Sequence, residues 1–183
     1  SKIAAALLRT KHDSVEILPN PGSTCLYLGA SSGGTVSHIH DIVCGADNHH
    51  GGQVVAVEIS PRMARDLLSL AKKRRGLVPV LGDARKPSEV AHFMRSRADW
   101  IHQDLSIAEQ AEAFVRMSEA FLNPGGTAIL SLKAASERTS DGDDDSRFEK
   151  AEKRILDSEL NLLEMIDLSG LEEQHVVFWC SSS

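Results

Sequence analysis

The run from Thr24 to Ile39, TCLYLGASSGGTVSHI, constrains this chain more than any other. Thr24–Leu28 is a short apolar strand, Gly29 to Gly34 a turn rich in glycine and serine, and Thr35 opens a helix. A strand feeding such a turn lets bare backbone approach a ligand, and the helix N-terminus behind it favours anionic groups. The next apolar segment, Gln53–Glu58, is a second strand and ends on an acid. An acid there is what a nucleoside-binding α/β fold uses to hold ribose hydroxyls.

The remaining elements alternate. A helix is predicted over residues 1–9, and the turn Pro19-Asn20-Pro21-Gly22 leads into the first strand. Helices follow over residues 35–44, from Ser60-Pro61 to about Arg75, over 88–95, and over 107–122, stopping at Asn123-Pro124-Gly125-Gly126. Strands are predicted over 77–81, 98–103, 127–133, 162–167 and 174–180. Residues 134–146, with Asp141-Gly142-Asp143-Asp144-Asp145, read as an acidic loop ahead of a helix to about Leu160. Such alternation specifies a mostly parallel sheet covered by helices, in one domain of 183 residues.

In such a sheet ligands sit at the carboxyl ends of the strands. Gly29, Glu58, Asp83, Asp104 and Lys133 end five successive predicted strands. Stability alone gives no reason for a row of acids at one rim, so the row marks a site. The glycine turn departs from G-x-G-x-x-G, with serine at the second glycine, which suits S-adenosylmethionine better than NAD. It also matches the G-x-S-x-G nucleophile elbow, with Ser31, Asp104 and His175 in hydrolase order. Against that, the motif follows the first strand, whereas a hydrolase of that fold sets its serine after several. Asp104 and Lys133 are expected near one another, the carboxylate orienting the lysine. The histidines His38, His40, His49 and His50 match no zinc spacing and read as surface or helix residues.

Composition narrows the partners. No apolar run approaches the roughly 18 residues of a spanning helix, so no membrane partner is expected. Cys25, Cys44 and Cys180 are scattered and odd in number, as suits buried thiols. The net charge of −6 is uneven: residues 1–100 hold 13 Lys+Arg against 9 Asp+Glu, and residues 101–183 hold 7 against 17. The basic side chains gather at Lys72-Lys73-Arg74-Arg75, at Arg85-Lys86 and at Arg95/Arg97, as either phosphate-facing patches or solvated helix ends.

The phrases LYLGASSGGTVSH, VVAVEISPR, PVLGDARKP, QD at 103–104, LKA at 132–134 and the closing QHVVF occur in an order and spacing that resemble the fibrillarin family. The opening SKIAAALL resembles the segment just ahead of that family's catalytic domain, and GDARKP and QD resemble its archaeal members. The resemblance implies a class I S-adenosylmethionine-dependent methyltransferase fold, Rossmann-like, with a mostly parallel seven-stranded sheet and helices on both faces. It implies RNA ribose 2′-O-methylation, with rRNA and tRNA as substrates. Residues 1–23 would be a lead-in helix and linker, residues 24–183 the core, and the family's N-terminal domain would be absent.

Residue by residue, the resemblance implies that Gly29, Ala30, Gly34 and Thr35 face the methionine part of the cofactor. Glu58 would hold the ribose, Ile59 flank the adenine, Asp83 and Ala84 contact its edge, and Asp104, Leu105, Ser106 and Ile107 lie by the sulfonium. The family's catalytic Lys-Asp-Lys-His set falls on Lys2, Asp104, Lys133 and His175. Departures are Gly34-Thr35 in place of two threonines, and Leu105-Ser106-Ile107-Ala108 in place of Val-Ala-Gln-Pro. The implied partners are a box C/D guide RNA and its substrate RNA, a kink-turn-binding protein and a coiled-coil scaffold protein. The implied location is the cytoplasm for an archaeal-type protein and the nucleolus for a eukaryotic one. Two alternatives stand beside this: a catalytically weak methyltransferase-like subunit that binds cofactor or scaffold, and a stand-alone methyltransferase.

Overall fold

A computed structural model describes residues 1–137 and 143–183. The strands are β1 (Thr24–Leu28), β2 (Gln53–Glu58), β3 (Leu77–Leu81), β4 (Ala98–Gln103), β5 (Leu122–Lys133), β6 (Leu160–Asp167) and β7 (His175–Ser182). They form one sheet in the order β3-β2-β1-β4-β5-β7-β6. β1 to β5 run parallel, and β7 is antiparallel to both β5 and β6. β1 is buried along its whole length and β2 through its centre, which explains why both read as continuous apolar runs rather than alternating ones.

Helices α1 (Lys2–Arg9), α2 (Gly34–Cys44) and α3 (Pro61–Ala71) cover one face; α4 (Pro87–Val90), α5 (Gln110–Phe121) and α6 (Asp144–Leu156) cover the other. The period of two along each strand sorts the core. Leu26, Val55, Ile101, Leu130 and Phe178 pack toward α5 and α6, whereas Tyr27, Ala56, Trp100, Ile129 and Trp179 pack toward α1 and α2. α1 belongs to this second layer, because Ile3, Ala5 and Ala6 are buried in it.

Several boundaries differ from the sequence expectation, among them the end of α3, which stops at Ala71 rather than near Arg75. β5 starts at Leu122 because Leu122 pairs with Ala98 before the strand bulges, and pairing resumes at Thr127 with Trp100. Pro124-Gly125 occupies that bulge, Gly125 with φ +74°. α5 begins at Gln110 rather than Ile107, since Glu109 takes a left-handed φ of 55°. The helix predicted over 88–95 is one short turn, α4, continued by a 3-10 turn at Ala91–Phe93. α6 claims Asp144, Asp145 and Ser146 from the expected acidic loop and ends at Leu156. Asp143 caps it by accepting from the Ser146 amide at 3.0 Å, and Asp144 and Asp145 favour the positive end of the helix dipole. Asp141 and Gly142 of that loop lie outside the described residues.

Candidate active site

Strand order reverses between β1 and β4, and the crevice at their carboxyl ends is where a ligand fits such a sheet. Gly29 holds the two edges of this crevice together. Its φ is +88°, and a Cβ there would stand 2.2 Å from the Asp104 carbonyl oxygen. The Asp104 amide donates to the Leu28 carbonyl at 2.9 Å, so the loop after β4 lies against the turn after β1. Only glycine permits both the backbone angle and the approach.

A cavity of about 350 Å³ opens there, lined by Gly29, Ser31, Glu58, Ile59, Asp83, Ala84, Arg85, Asp104, Leu105, Ser106 and Ile107 among others. Glu58 is fixed by two backbone donors, the Ser31 amide at 2.6 Å and the Ser60 amide at 2.8 Å. A carboxylate has about four acceptor positions, so two remain for ligand hydroxyls. Exposed Ile59 and Leu81 supply apolar surface beside it.

Asp83 is engaged by Arg85, whose Nε and Nη2 donate at 2.9 and 2.8 Å. Those hydrogen bonds hold its carboxyl down at about pKa 2, against burial acting the other way. The Arg85-Lys86 cluster is therefore balanced internally, with Lys86 on Glu89 at 3.2 Å. The Arg95 guanidinium likewise donates to Gly22 and Gly51 carbonyls, and Arg97 to the Leu122 and Ala120 carbonyls, so both are structural. The cluster at 72–75 precedes β3, at the opposite end of the sheet from the crevice, and Arg74 pairs with Asp41 there.

Ala30, Gly34 and Thr35, expected on the cofactor, do not line this cavity. Ala30 is buried, and its amide donates to the Val57 carbonyl at 3.0 Å. The Thr35 hydroxyl is turned to the Tyr27 hydroxyl.

The four residues of the Lys-Asp-Lys-His set share the α1 side of the sheet, in register with Trp100, Ile129 and Trp179. They gather as two pairs. Lys2 Nζ donates to both Asp104 oxygens, at 2.8 and 2.9 Å. Lys133 stands opposite His175 in the β5–β7 ladder. The expectation that Asp104 orients Lys133 is thus corrected. Burial of Ile3, Ala5 and Ala6 seats α1 so that Lys2, not Lys133, reaches the carboxylate. Lys133 is exposed, and its ammonium joins none of the ion pairs among the described residues.

Lys133 also lines a second cavity, of about 390 Å³, with Ser106, Ile107, Ala108, Ala135 and Ser136. Ser106 and Ile107 line both cavities. His175 Nδ1 lies 2.7 Å from the Glu173 carbonyl, which places a proton on Nδ1 and leaves Nε2 of the neutral ring as an acceptor. The hydrolase arrangement fails on geometry. Ser31 follows β1 while His175 begins β7, three strand spacings away, or about 14 Å. No serine–histidine hydrogen bond spans that gap.

Sequence reasoning missed the polar layer beneath the rim. His102 is 1% exposed, stacks edge-on to Tyr27, and its Nε2 lies 2.8 Å from the Ser131 hydroxyl. Burial pushes its pKa down to about 4. Gln103, Gln110 and Glu137 form a second buried group. A glutamine at a helix start reads as a surface residue, so nothing local announced it.

A seven-stranded sheet of this order, helices on both faces and a nucleoside-sized crevice ending in Glu58 define an S-adenosylmethionine-dependent methyltransferase fold. The family model described as Fibrillarin matches residues 1–183, and the chain belongs to the fibrillarin family. A fibrillarin-like rRNA/tRNA 2′-O-methyltransferase of Methanopyrus kandleri is 36% identical over 177 residues, 96% of this chain and 72% of that protein. The Aeropyrum pernix fibrillarin structure, which contains natively bound S-adenosyl-L-methionine, superposes with a TM-score of 0.82 at 32% identity, covering 98% of this chain and 74% of that one. The protein in a solved fibrillarin/Nop5p complex superposes with a TM-score of 0.87 at 28% identity, covering 100% of this chain and 81% of that one.

Proposed function

We propose that this chain is an RNA ribose 2′-O-methyltransferase that uses S-adenosylmethionine. One observation supports this above the others: the nucleoside-sized cavity and the cavity carrying Lys133 share Ser106 and Ile107, so a donor methyl and an acceptor ribose can meet there. The residues fit the cofactor. Glu58 retains acceptor positions for ribose hydroxyls, Ile59 and Leu81 offer an apolar flank to adenine, and the Gly29 turn leaves room for backbone approach. S-adenosylmethionine supplies a methyl group already activated by a positive sulfur.

What remains for the protein is alignment and removal of one proton. Near-attack geometry supplies several kcal/mol, and general-base help about 10²–10⁴-fold. The Lys133 ammonium and Nε2 of His175 would hold the acceptor 2′-hydroxyl. Nε2, the acceptor of the two, would take its proton as the oxygen–carbon bond forms and the methyl carbon–sulfur bond breaks. Asp104, fixed by Lys2, borders the donor cavity and keeps its loop in place. Gly29, Glu58, Ile59, Asp83, Ala84, Asp104, Leu105, Ser106 and Ile107 would surround the cofactor, with Ala30, Gly34 and Thr35 shaping the turn from outside the cavity.

The fibrillarin/Nop5p complex supports a scaffold partner for this chain as well. Its coiled-coil character, the guide RNA that selects the nucleotide and the kink-turn-binding protein rest on the family resemblance. So does a location in the cytoplasm of an archaeal-type cell, or the nucleolus of a eukaryotic one. With RNA affinity supplied mainly by such partners, a catalytic subunit of net charge −6 is workable. Calorimetric titration with S-adenosylmethionine, using NADH as control, tests the first half. Saturable binding of S-adenosylmethionine alone is expected. No binding to the folded protein would bring the non-catalytic scaffold alternative forward.

A further inference from the structure

We propose that Gln110 is a positioning residue for Lys133, acting as a substitute strand where the sheet runs out. The inference rests on the assignment of Lys133 to the reaction. The β4–β5 ladder ends at Gln103 opposite Leu130, so the last residues of β5 have no β4 neighbour. On the other side, β5 continues against β7 up to Lys133 opposite His175. The Lys133 amide and carbonyl therefore point into the gap that β4 leaves.

Gln110 fills that gap with a side-chain amide. Its Oε1 accepts from the Lys133 N–H at 3.3 Å, and its Nε2 donates to the Lys133 carbonyl at 3.1 Å. A carboxamide carries the same donor and acceptor as a peptide unit, so it reproduces the pairing a strand would provide. The clamp is itself held. Gln110 is 0% exposed, its carbonyl accepts from Gln103 Nε2 at 2.8 Å, and its own amide and side chain donate to Glu137 Oε1 at 2.8 and 3.1 Å.

This arrangement has a consequence for the chemistry. Because the Lys133 N–H and C=O turn to Gln110, the Lys133–His175 pair is a non-hydrogen-bonded one. Side chains of such pairs approach most closely. Gln110 thereby fixes both the strand end that carries Lys133 and its spacing from His175, without touching substrate.

The test is Gln110→Met, which keeps volume and removes both hydrogen bonds. The variant, K133A and the Q110M/K133A double variant are compared in single-turnover methyl transfer within the assembled particle. S-adenosylmethionine affinity and exchange of the Lys133 amide proton are followed in parallel. Expected are a transfer rate at least 10-fold lower in Q110M, cofactor affinity within 2-fold, and Lys133 amide exchange at least 10-fold faster. The double variant should transfer no more slowly than K133A alone, since Gln110 acts only through Lys133. An unchanged rate in Q110M, or a further fall of the same size in the K133A background, would overturn the proposal. An unchanged Lys133 amide overturns it even if the wild type transfers no methyl, and that absence would count against the reaction assignment instead.

Discussion

The Lys2 ammonium closes on both oxygens of the Asp104 carboxylate, at 2.8 and 2.9 Å, and joins the first turn of α1 to the end of β4. The side chains are 22% and 27% exposed, so the pair is neither a screened surface contact nor a fully desolvated one. It makes the opening helix part of the site. Double-mutant analysis with Lys2→Ala and Asp104→Ala is expected to show coupling of about 0.5–3 kcal/mol in stability. Strict additivity of the two losses would contradict a direct pair.

Lys133 stands apart from that pair, and its loss should separate chemistry from binding. Lys133→Ala is expected to slow single-turnover transfer by about 10²-fold or more while S-adenosylmethionine affinity stays nearly unchanged. Calorimetry beside a methyl-transfer assay reads both. Equal loss of the two would move Lys133 from the reaction to the cofactor pocket.

Much of this was legible in the chain. β1, β2, β3 and β4 stand where the sequence puts them. β1 and the centre of β2 are buried on both faces and therefore apolar throughout, whereas the edge strand β3 and the polar-containing β4 are marked by the turn residues that bound them. The rim residues Glu58 and Asp104 were found by their place at strand ends, which topology alone dictates. Pairing was not legible. Whether Asp104 meets Lys2 or Lys133 depends on how α1 seats Ile3 and Ala6 in the core, a long-range packing result. The α6 start was misread because Asp143 to Asp145 suit a loop and a helix N-terminus equally. The Gln110 clamp depends on two strands ending at different heights, which no local pattern records.

Gly29 is a stringent position. With φ +88° and a would-be Cβ 2.2 Å from the Asp104 carbonyl oxygen, Gly29→Ala must push the β4 loop away from the β1 turn. Cofactor affinity is expected to fall at least 10-fold, with stability lower by more than about 1 kcal/mol, by calorimetry and urea unfolding. Wild-type affinity in this variant would mean that the crevice does not hold the cofactor.

His102 sets an acid limit on stability. Burial disfavours its cation and holds its pKa at about 4, outweighing the nearby Asp104 carboxylate, while the Lys2 ammonium adds to the depression. An unfolded histidine titrates near 6.5, so between about pH 6.5 and 4 the unfolded chain binds a proton that the folded chain refuses. The contribution is complete above about pH 6.5 and falls as pH drops to about 4, by on the order of 3 kcal/mol. In His102→Phe the stability lost between pH 7 and 4.5 should be clearly smaller than in wild type. An identical loss in both would show that other groups govern the acid limb.

The most direct measurement is the position of the transferred methyl. The protein is assembled with guide RNA, scaffold and kink-turn-binding protein, supplied with S-adenosylmethionine and a complementary RNA, and the product is digested to nucleosides for mass spectrometry. The account predicts one methyl on the ribose 2′-oxygen of the guide-selected nucleotide, lost in Lys133→Ala. A methyl on a base, or none from an assembled particle with cofactor bound, would contradict it.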